Sequence, residues 1–523
     1  MRRMITAARN NEPQDNITGK LQVKQLNTHE VKKTMVKDTL LYLPARVIEG
    51  LIGLVTITLY TRFFAPEVYG YYGLVTTTIN ISSFLLVGWL IQSVFRYVNA
   101  FDSNKKRILF YSTSFTLWLC TNAVVLAAGF AGIFLINPGR EKYLTELLVL
   151  GLIMFVTFNT NQVLTSLLAA TRKTKLYLFL SIFSVSAKLL LTIFLVNKYR
   201  TNHYTPASAV ISNIAVDAVV AAIIVLRTGI FRYFSFRYFS KRVFRKFMIY
   251  SLPLVGVNIT MSILNLSDRY VITPILGTEQ MGIYHANYTI SSTVFNLILV
   301  AVMRGVYPSI LKTWRQNNKA RTEDLLSQAV RYYLLVSLPA LTGLSILSGT
   351  ISKLFLDAAY FENGFVIIWV AAGMFLYGLA EYSNKAWELT SNTKPMFYNT
   401  VVSAVLNLGL NVISVKMYGY RAAAVNTALA YLVYLALSLV RSRKIMKINF
   451  NLPSIERIVL SCAAMGIVVW TGNHYLKLSV LNLVLIVFTG CIVYFGSLVL
   501  TGELKAEINY LLNWIKSMKK QSH

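Results

Sequence analysis

Phe64-Ala65-Pro66-Glu67-Val68-Tyr69-Gly70-Tyr71-Tyr72 returns later in the chain as Leu276-Gly277-Thr278-Glu279-Gln280-Met281-Gly282-Ile283-Tyr284. Glu67, Gly70 and Tyr72 align with Glu279, Gly282 and Tyr284. A Leu-Pro pair lies upstream of each copy, Leu43-Pro44 and Leu252-Pro253, and opens an apolar segment. Each copy is therefore an apolar helix, a short Glu-x-x-Gly-x-Tyr turn and a second apolar helix, set in matching places between hydrophobic runs. Such a duplication is the mark of a membrane architecture built from internal repeats.

Composition agrees. The chain is 55% hydrophobic and 14% charged, with mean hydropathy +0.54, whereas soluble domains carry roughly a quarter charged residues. Apolar runs of bilayer length, about 20 residues each, recur from Thr39 to Leu500, and no soluble domain of useful size fits between them. Cys120, Cys462 and Cys491 all fall within apolar runs and read as small buried hydrophobes, with no disulfide framework and no metal site.

The net charge of +30 invites a nucleic-acid reading. Its distribution favours the membrane instead, because Lys and Arg collect on the cytoplasmic side of a polytopic protein. Roughly fourteen spans, from 39–63 to 478–500, make alternate junctions basic, among them Lys105/Lys106/Arg107, Arg172/Lys173/Lys175 and Arg441/Arg443/Lys444/Lys447. Both termini then lie in the cytoplasm.

The expected organisation is a basic cytoplasmic tail (1–38), an N-lobe (39–227) and a basic elbow (228–247). A C-lobe (248–440), two extra helices (441–500) and a cytoplasmic tail (501–523) follow. In the elbow Arg232, Arg237, Lys241, Arg242, Arg245 and Lys246 alternate with Phe231, Tyr233, Phe234, Phe236, Tyr238 and Phe239. That mixture suits a headgroup layer, with rings down and cations toward anionic membrane lipids.

Polar residues inside the spans carry the functional expectation, since a charge near the bilayer centre is costly and normally faces protein or water. Helical spacing aligns Arg46 with Glu49, Lys188 with Ser184 and Thr192, and Asn265 with Arg269. It also aligns Asn296 with Thr289, Thr293 and Arg304, Glu381 with Lys385 and Glu388, and Asn407 with Ser403 and Asn411. Stripes on so many helices imply a shared hydrated interior. Interhelical packing by Ser, Thr and Asn explains part of them, but packing does not require a guanidinium, whereas a diphosphate does. Arg46, Arg304, Arg269, Lys188, Asn296 and Asn407 are the expected substrate contacts. Glu49, Asp217, Asp268 and Glu381 are the candidates for a coupling cation or proton, with pairing to a neighbouring base as the simpler role for each.

No Walker A sequence, His-Glu-x-x-His or Gly-x-Ser-x-Gly occurs, and the histidines at positions 29, 203, 285, 474 and 523 lack ligand spacing. The expectation is a transporter without cofactor or metal, not an enzyme.

The two six-helix lobes, the Leu-Pro openings, the Glu-x-x-Gly-x-Tyr turns and Asp268-Arg269-Tyr270 together resemble the polysaccharide and oligosaccharide flippases of the multidrug/oligosaccharidyl-lipid/polysaccharide (MOP) exporter superfamily. The resemblance covers residues 37–500. It implies an all-α, MATE-like fold that flips undecaprenyl-diphosphate-linked oligosaccharides across the bacterial inner membrane, by alternating access through a cationic central cavity. Arg46 and Arg304 resemble the basic cavity residues of that family in kind and location. The two extra helices resemble its fourteen-span lipid II and sporulation-type branch. Expected partners are the lipid-linked glycan, anionic lipids and other polysaccharide assembly proteins, with no nucleic acid and a monomeric state. Two alternatives stay open on the sequence: a cation-coupled drug exporter of the same fold, which needs a net acidic cavity, and a membrane glycosyltransferase or polymerase, which needs a catalytic cluster outside the bilayer.

Overall fold

The computed structural model describes residues 48–509 except 102, 137–141, 172, 200–204, 391 and 506. The N-terminal tail, Leu43-Pro44, Arg46 and the end of the C-terminal tail lie outside the described residues. Among the described residues the chain is helical, with no strand.

The first lobe holds α1 (48–63), α2 (Pro66–Leu86), α3 (Gly88–Tyr97), α4 (Asn104–Ile136), α5 (Lys142–Ala170), α6 (Thr174–Lys198) and α7 (Thr205–Thr228). The second holds α8 (Lys241–Leu276), α9 (Thr278–Arg315), α10 (Lys319–Phe355), α11 (Phe365–Leu389), α12 (Lys394–Tyr418) and α13 (Tyr420–Ser442). A hairpin of α14 (Leu452–Tyr475) and α15 (Val480–Leu500) packs on α10.

Eleven of these helices are long and apolar enough to cross a membrane, or twelve if the bent pair α2–α3 is one span. The first of the fourteen spans expected from the sequence, 39–63, begins outside the described residues. The helix at 48–63, whose described part begins at residue 48, and α8 are outside the eleven, which are counted on the described residues alone. The pair α2–α3 bends by 55° around Val87, where helical geometry breaks for one residue. Between α8 and α9 the chain reverses on Gly277 alone, at φ +89°, a conformation that costs glycine little and a side chain much. Pro66 opens α2 as its first residue, where the missing N–H would have no helical partner.

The apolar outer surface matches a lipid environment. Leu481, Val484, Phe488, Ile492 and Phe495 on α15 are all exposed. Cys120 and Cys491 share such faces and are exposed, while Cys462 is buried. The expectation of three buried thiols therefore holds only for Cys462: an apolar helix in a membrane turns one side to lipid, so apolar sequence does not imply burial in protein.

Polar bonds fasten the C-terminal hairpin. Arg331 of α10 bonds Glu503 at 2.6 Å and Glu507 at 2.5 Å. Ser454 at the start of α14 donates to the same Glu503, and the Tyr494 hydroxyl of α15 donates to the Leu335 carbonyl at 2.8 Å. Burial alone would raise the Glu507 carboxyl, but the Arg331 guanidinium outweighs it and holds the group below its ordinary range.

Candidate functional site

The repeated turns meet each other. A Cβ placed on Gly70 would lie 2.0 Å from the Thr278 carbonyl oxygen, and one on Gly282 would lie 1.9 Å from that of Pro66. Pro66 and Thr278 are equivalent positions of the repeat, so the contact is reciprocal and relates the lobes by a pseudo-two-fold. Only a residue without a side chain permits helices α2 and α9 to approach so closely.

Other groups surround this clasp. The Tyr360 hydroxyl donates to the Phe64 carbonyl at 2.7 Å. Tyr69 packs edge-on against Tyr360 with ring centroids 5.8 Å apart, and its ring lies 5.5 Å from His285. Farther along α2, the Thr78 and Tyr270 hydroxyls bond across the lobes at 2.7 Å. At the opposite end, α3 meets the beginning of α8. There the Ser93 and Ser251 hydroxyls bond at 2.6 Å and Tyr97 stacks on Phe247.

The repeated tyrosines face inward, each into its own lobe. Tyr72 accepts from Asn213 at 3.5 Å and lies edge-on to Tyr60, whose hydroxyl bonds Thr192 at 3.1 Å. One turn before Thr192 stands Lys188, ion-paired with Asp217 at 2.7 Å. Asn161 donates to the same oxygen of Asp217 at 2.8 Å. The other oxygen, Oδ2, is buried without a partner, as is Asn161 Oδ1. Asp217 is fully buried, while the Lys188 side chain keeps 23% of its surface exposed.

Tyr284, the counterpart of Tyr72, donates to Asp268 Oδ2 at 2.5 Å. Thr427 donates to that oxygen at 2.9 Å, and Asn411 to Oδ1 at 2.7 Å. Asn407 accepts from Ser267 and from Asn411, and Asn426 donates to Asn411 Oδ1 at 2.8 Å. A fully buried carboxylate thus sits among hydroxyls and amides of α8, α9, α12 and α13, several of which can turn an oxygen toward a small cation. Arg269 does not join it. Its guanidinium lies 4.3 Å over the Tyr288 ring and donates to the Asn265 carbonyl at 2.9 Å.

A third group lies toward the far end of α11. Lys385 pairs with Glu388 at 2.5 Å and lies over the Tyr307 ring of α9. Asn384 bonds Glu381 at 3.4 Å and the Tyr434 hydroxyl at 2.7 Å.

The sequence-derived candidates thus separate. Lys188 and Asp217, named for different roles, hold each other. Arg269 and Asn407 are buried within the second lobe. Asn296 is exposed on α9, and Arg304 and Glu49 are half-buried and engaged in contacts. Arg46 lies outside the described residues. Sequence spacing missed Asn161, Thr427 and the tyrosine hydroxyls. Tyr72 and Tyr284 were visible as repeat positions, but nothing in the spacing says that they bond to buried polar groups. Among the described residues no group of three or more His, Cys, Asp or Glu can hold a metal.

Residues 35–314 match the family model described as "Polysaccharide biosynthesis protein". The chain is 24% identical over 228 residues to a probable low-salt glycan biosynthesis flippase, Agl15, of Haloferax volcanii, which takes in 43% of this chain and 48% of the relative. It therefore spans about half the length of that curated relative. Its fold resembles that of the lipid II flippase MurJ in an inward closed conformation, with TM-score 0.70 and 16% identity, covering 88% of this chain and 99% of the other. It also resembles an inward-facing multidrug resistance MATE family transporter of the MOP superfamily, with TM-score 0.63 and 13% identity, covering 78% of this chain and 97% of that one.

Proposed function

The chain belongs to the polysaccharide biosynthesis protein family, and from that premise we propose that it is a flippase. It carries a polyprenyl-diphosphate-linked oligosaccharide, the repeat unit of a surface polysaccharide, across the bacterial plasma membrane. The basic junctions support an orientation with both termini in the cytoplasm.

The observation that carries this reading is the reciprocal contact of Gly70 with Thr278 and of Gly282 with Pro66. Equivalent elements of two repeated lobes meet at one end with backbone against backbone at the two glycines, ringed by Tyr69, His285 and Tyr360. Such an interface can part and re-form as one lobe rocks against the other, which is how repeat-built transporters alternate access.

A diphosphate headgroup cannot enter hydrocarbon unaided, and the lobes can shield it while the polyprenyl tail stays in lipid. Arg46 and Arg304 are assigned to the diphosphate as forked donors. Lys188 is assigned as a third cation, released to the substrate when it leaves Asp217, and Asn296 as a polar contact for sugar. Asp268 is assigned the coupling cation or proton, because the groups hydrogen-bonded to it, Tyr284, Thr427 and Asn411, are neutral and the guanidinium of Arg269 is bonded elsewhere. Bond making and breaking has no place in this scheme, so the protein is a transporter and not an enzyme.

Depletion in a polysaccharide-producing host tests the reading. Lipid-linked glycan should accumulate on the inner leaflet, and Arg304→Ala should reproduce this with normal membrane insertion. Undiminished surface polysaccharide after full depletion would overturn it.

A further inference from the structure

The elbow between the lobes is built as more than a linker. After Gly229, at φ +65°, the chain turns out of α7 into two short helical turns, Ile230–Tyr233 and Phe236–Tyr238. These are pinned to α4: the Ser235 N–H donates to Ser112 Oγ and the Ser240 N–H to Thr113 Oγ1, both at 3.0 Å. Tyr233 stacks on Tyr111. The elbow therefore has one fixed pose rather than that of a loose tether.

Its outer surface combines rings and positive charge. Phe231 and Phe236 are 62% and 58% exposed, and Arg232, Arg237, Lys241, Arg242 and Arg245 beside them are exposed as well. No acidic residue occurs between Asp217 and Asp268. Exposed Lys105, Lys106 and Arg107 at the start of α4 extend the same field. Large rings among unneutralised cations fit a layer of anionic headgroups better than water.

Beneath the elbow runs an apolar slot of 280 Å³, roofed by Phe231 and Phe234 and walled by α4, α5 and α7. Ser114 and Trp118 line the slot, and their Oγ and Nε1 atoms are buried with no partner among the described residues. Ser114 is 8% exposed and sits one residue past the pinning Thr113, and Trp118 lies one helical turn deeper. Buried donors without acceptors in a native protein call for an explanation.

We infer that this slot is a binding site for one anionic glycerophospholipid. Its phosphate lies among Arg232, Arg237 and Lys241, one acyl chain enters the slot, and an ester carbonyl accepts from Ser114 Oγ or Trp118 Nε1. Cations at the surface, donors one step below and hydrocarbon beneath them follow the order of a phospholipid's own groups. This assignment stands apart from the transported substrate, because the site lies within the first lobe and does not depend on glycan.

The test uses the full chain, purified in neutral detergent and titrated with dioleoyl phosphatidylglycerol or dioleoyl phosphatidylcholine, with bound lipid counted by native mass spectrometry. Phosphatidylglycerol should fill one saturable site on the order of tenfold more tightly than phosphatidylcholine. Arg232→Gln with Arg237→Gln should erase that preference, as expected for the loss of two surface charges. Val163→Phe, which fills the slot, should abolish the saturable site with the surface charge intact. Ser114→Ala, which keeps the slot open, should weaken it without lowering the melting temperature. Equal retention of both lipids, or an unchanged saturable site in Val163→Phe and Ser114→Ala, would overturn the assignment.

Discussion

A Cβ on Gly282 would come within 3.0 Å of the backbone nitrogen of Gly70, and one on Gly70 within 3.3 Å of that of Gly282. The two glycines that mark the sequence repeat therefore touch. The same positions that reveal the duplication hold its two halves together at one end.

Gly70→Ala should open that end. Overpacking against a backbone carbonyl costs about 1–3 kcal/mol, enough to shift a two-state equilibrium by roughly fivefold to a hundredfold. Accessibility of His285→Cys to a membrane-impermeant maleimide, measured with and without Gly70→Ala, should rise. Gly53→Ala, where an added Cβ meets nothing within 4 Å, serves as the control and should leave labelling unchanged.

Lys188 and Asp217 should behave as a pair. Lys188→Met leaves a fully buried carboxylate without its cation and should cost about 3 kcal/mol or more. Lys188→Met combined with Asp217→Asn should recover most of that stability. Melting temperatures of the four proteins in one detergent give the coupling, and additive losses would break the assignment.

Asp268→Asn removes the charge but keeps the shape, so the bonds from Tyr284, Thr427 and Asn411 lose their ionised acceptor. The variant should fold and insert, yet transport should no longer respond to a sodium or proton gradient. Retained gradient dependence would remove Asp268 from the coupling role.

Acid should loosen the C-terminal hairpin. Because the folded Glu507 titrates below its unfolded value of about 4.3, its contribution is complete above that value and is lost as pH falls through the depressed value. Glu507→Gln should therefore lower the melting temperature at pH 7, by a difference that shrinks as pH falls below about 4.3. A constant difference across that range would refute the linkage.

Fold class was legible because apolar length and the Glu-x-x-Gly-x-Tyr repeat survive in a single sequence. Helix α8 carries Lys241, Arg242, Arg245 and Lys246 at its start and Asp268 and Arg269 toward its end, and the uncharged apolar run between them is what marks it as a span in the sequence. At the site, helical spacing placed Asn407 and Asn411 on one face, and Asn411 does reach Asp268. Partners on other helices stayed hidden, because one-dimensional spacing says nothing about which helix faces which. For the same reason the sequence offers Asp217 a pairing role without saying that Lys188 is its partner. Arg269 stands as an expected substrate contact whose guanidinium here lies against Tyr288 and the Asn265 carbonyl.

The most direct measurement of lobe movement is a reversible lock. Ser93→Cys with Ser251→Cys replaces the hydroxyls that bond at 2.6 Å across the lobes, between α3 and α8, with thiols that an oxidant can join. With the lock closed, lipid-linked glycan should build up on the inner leaflet, and reductant should restore export within the same membranes. Export that continues unchanged while the disulfide is fully formed would contradict alternating access through this gate.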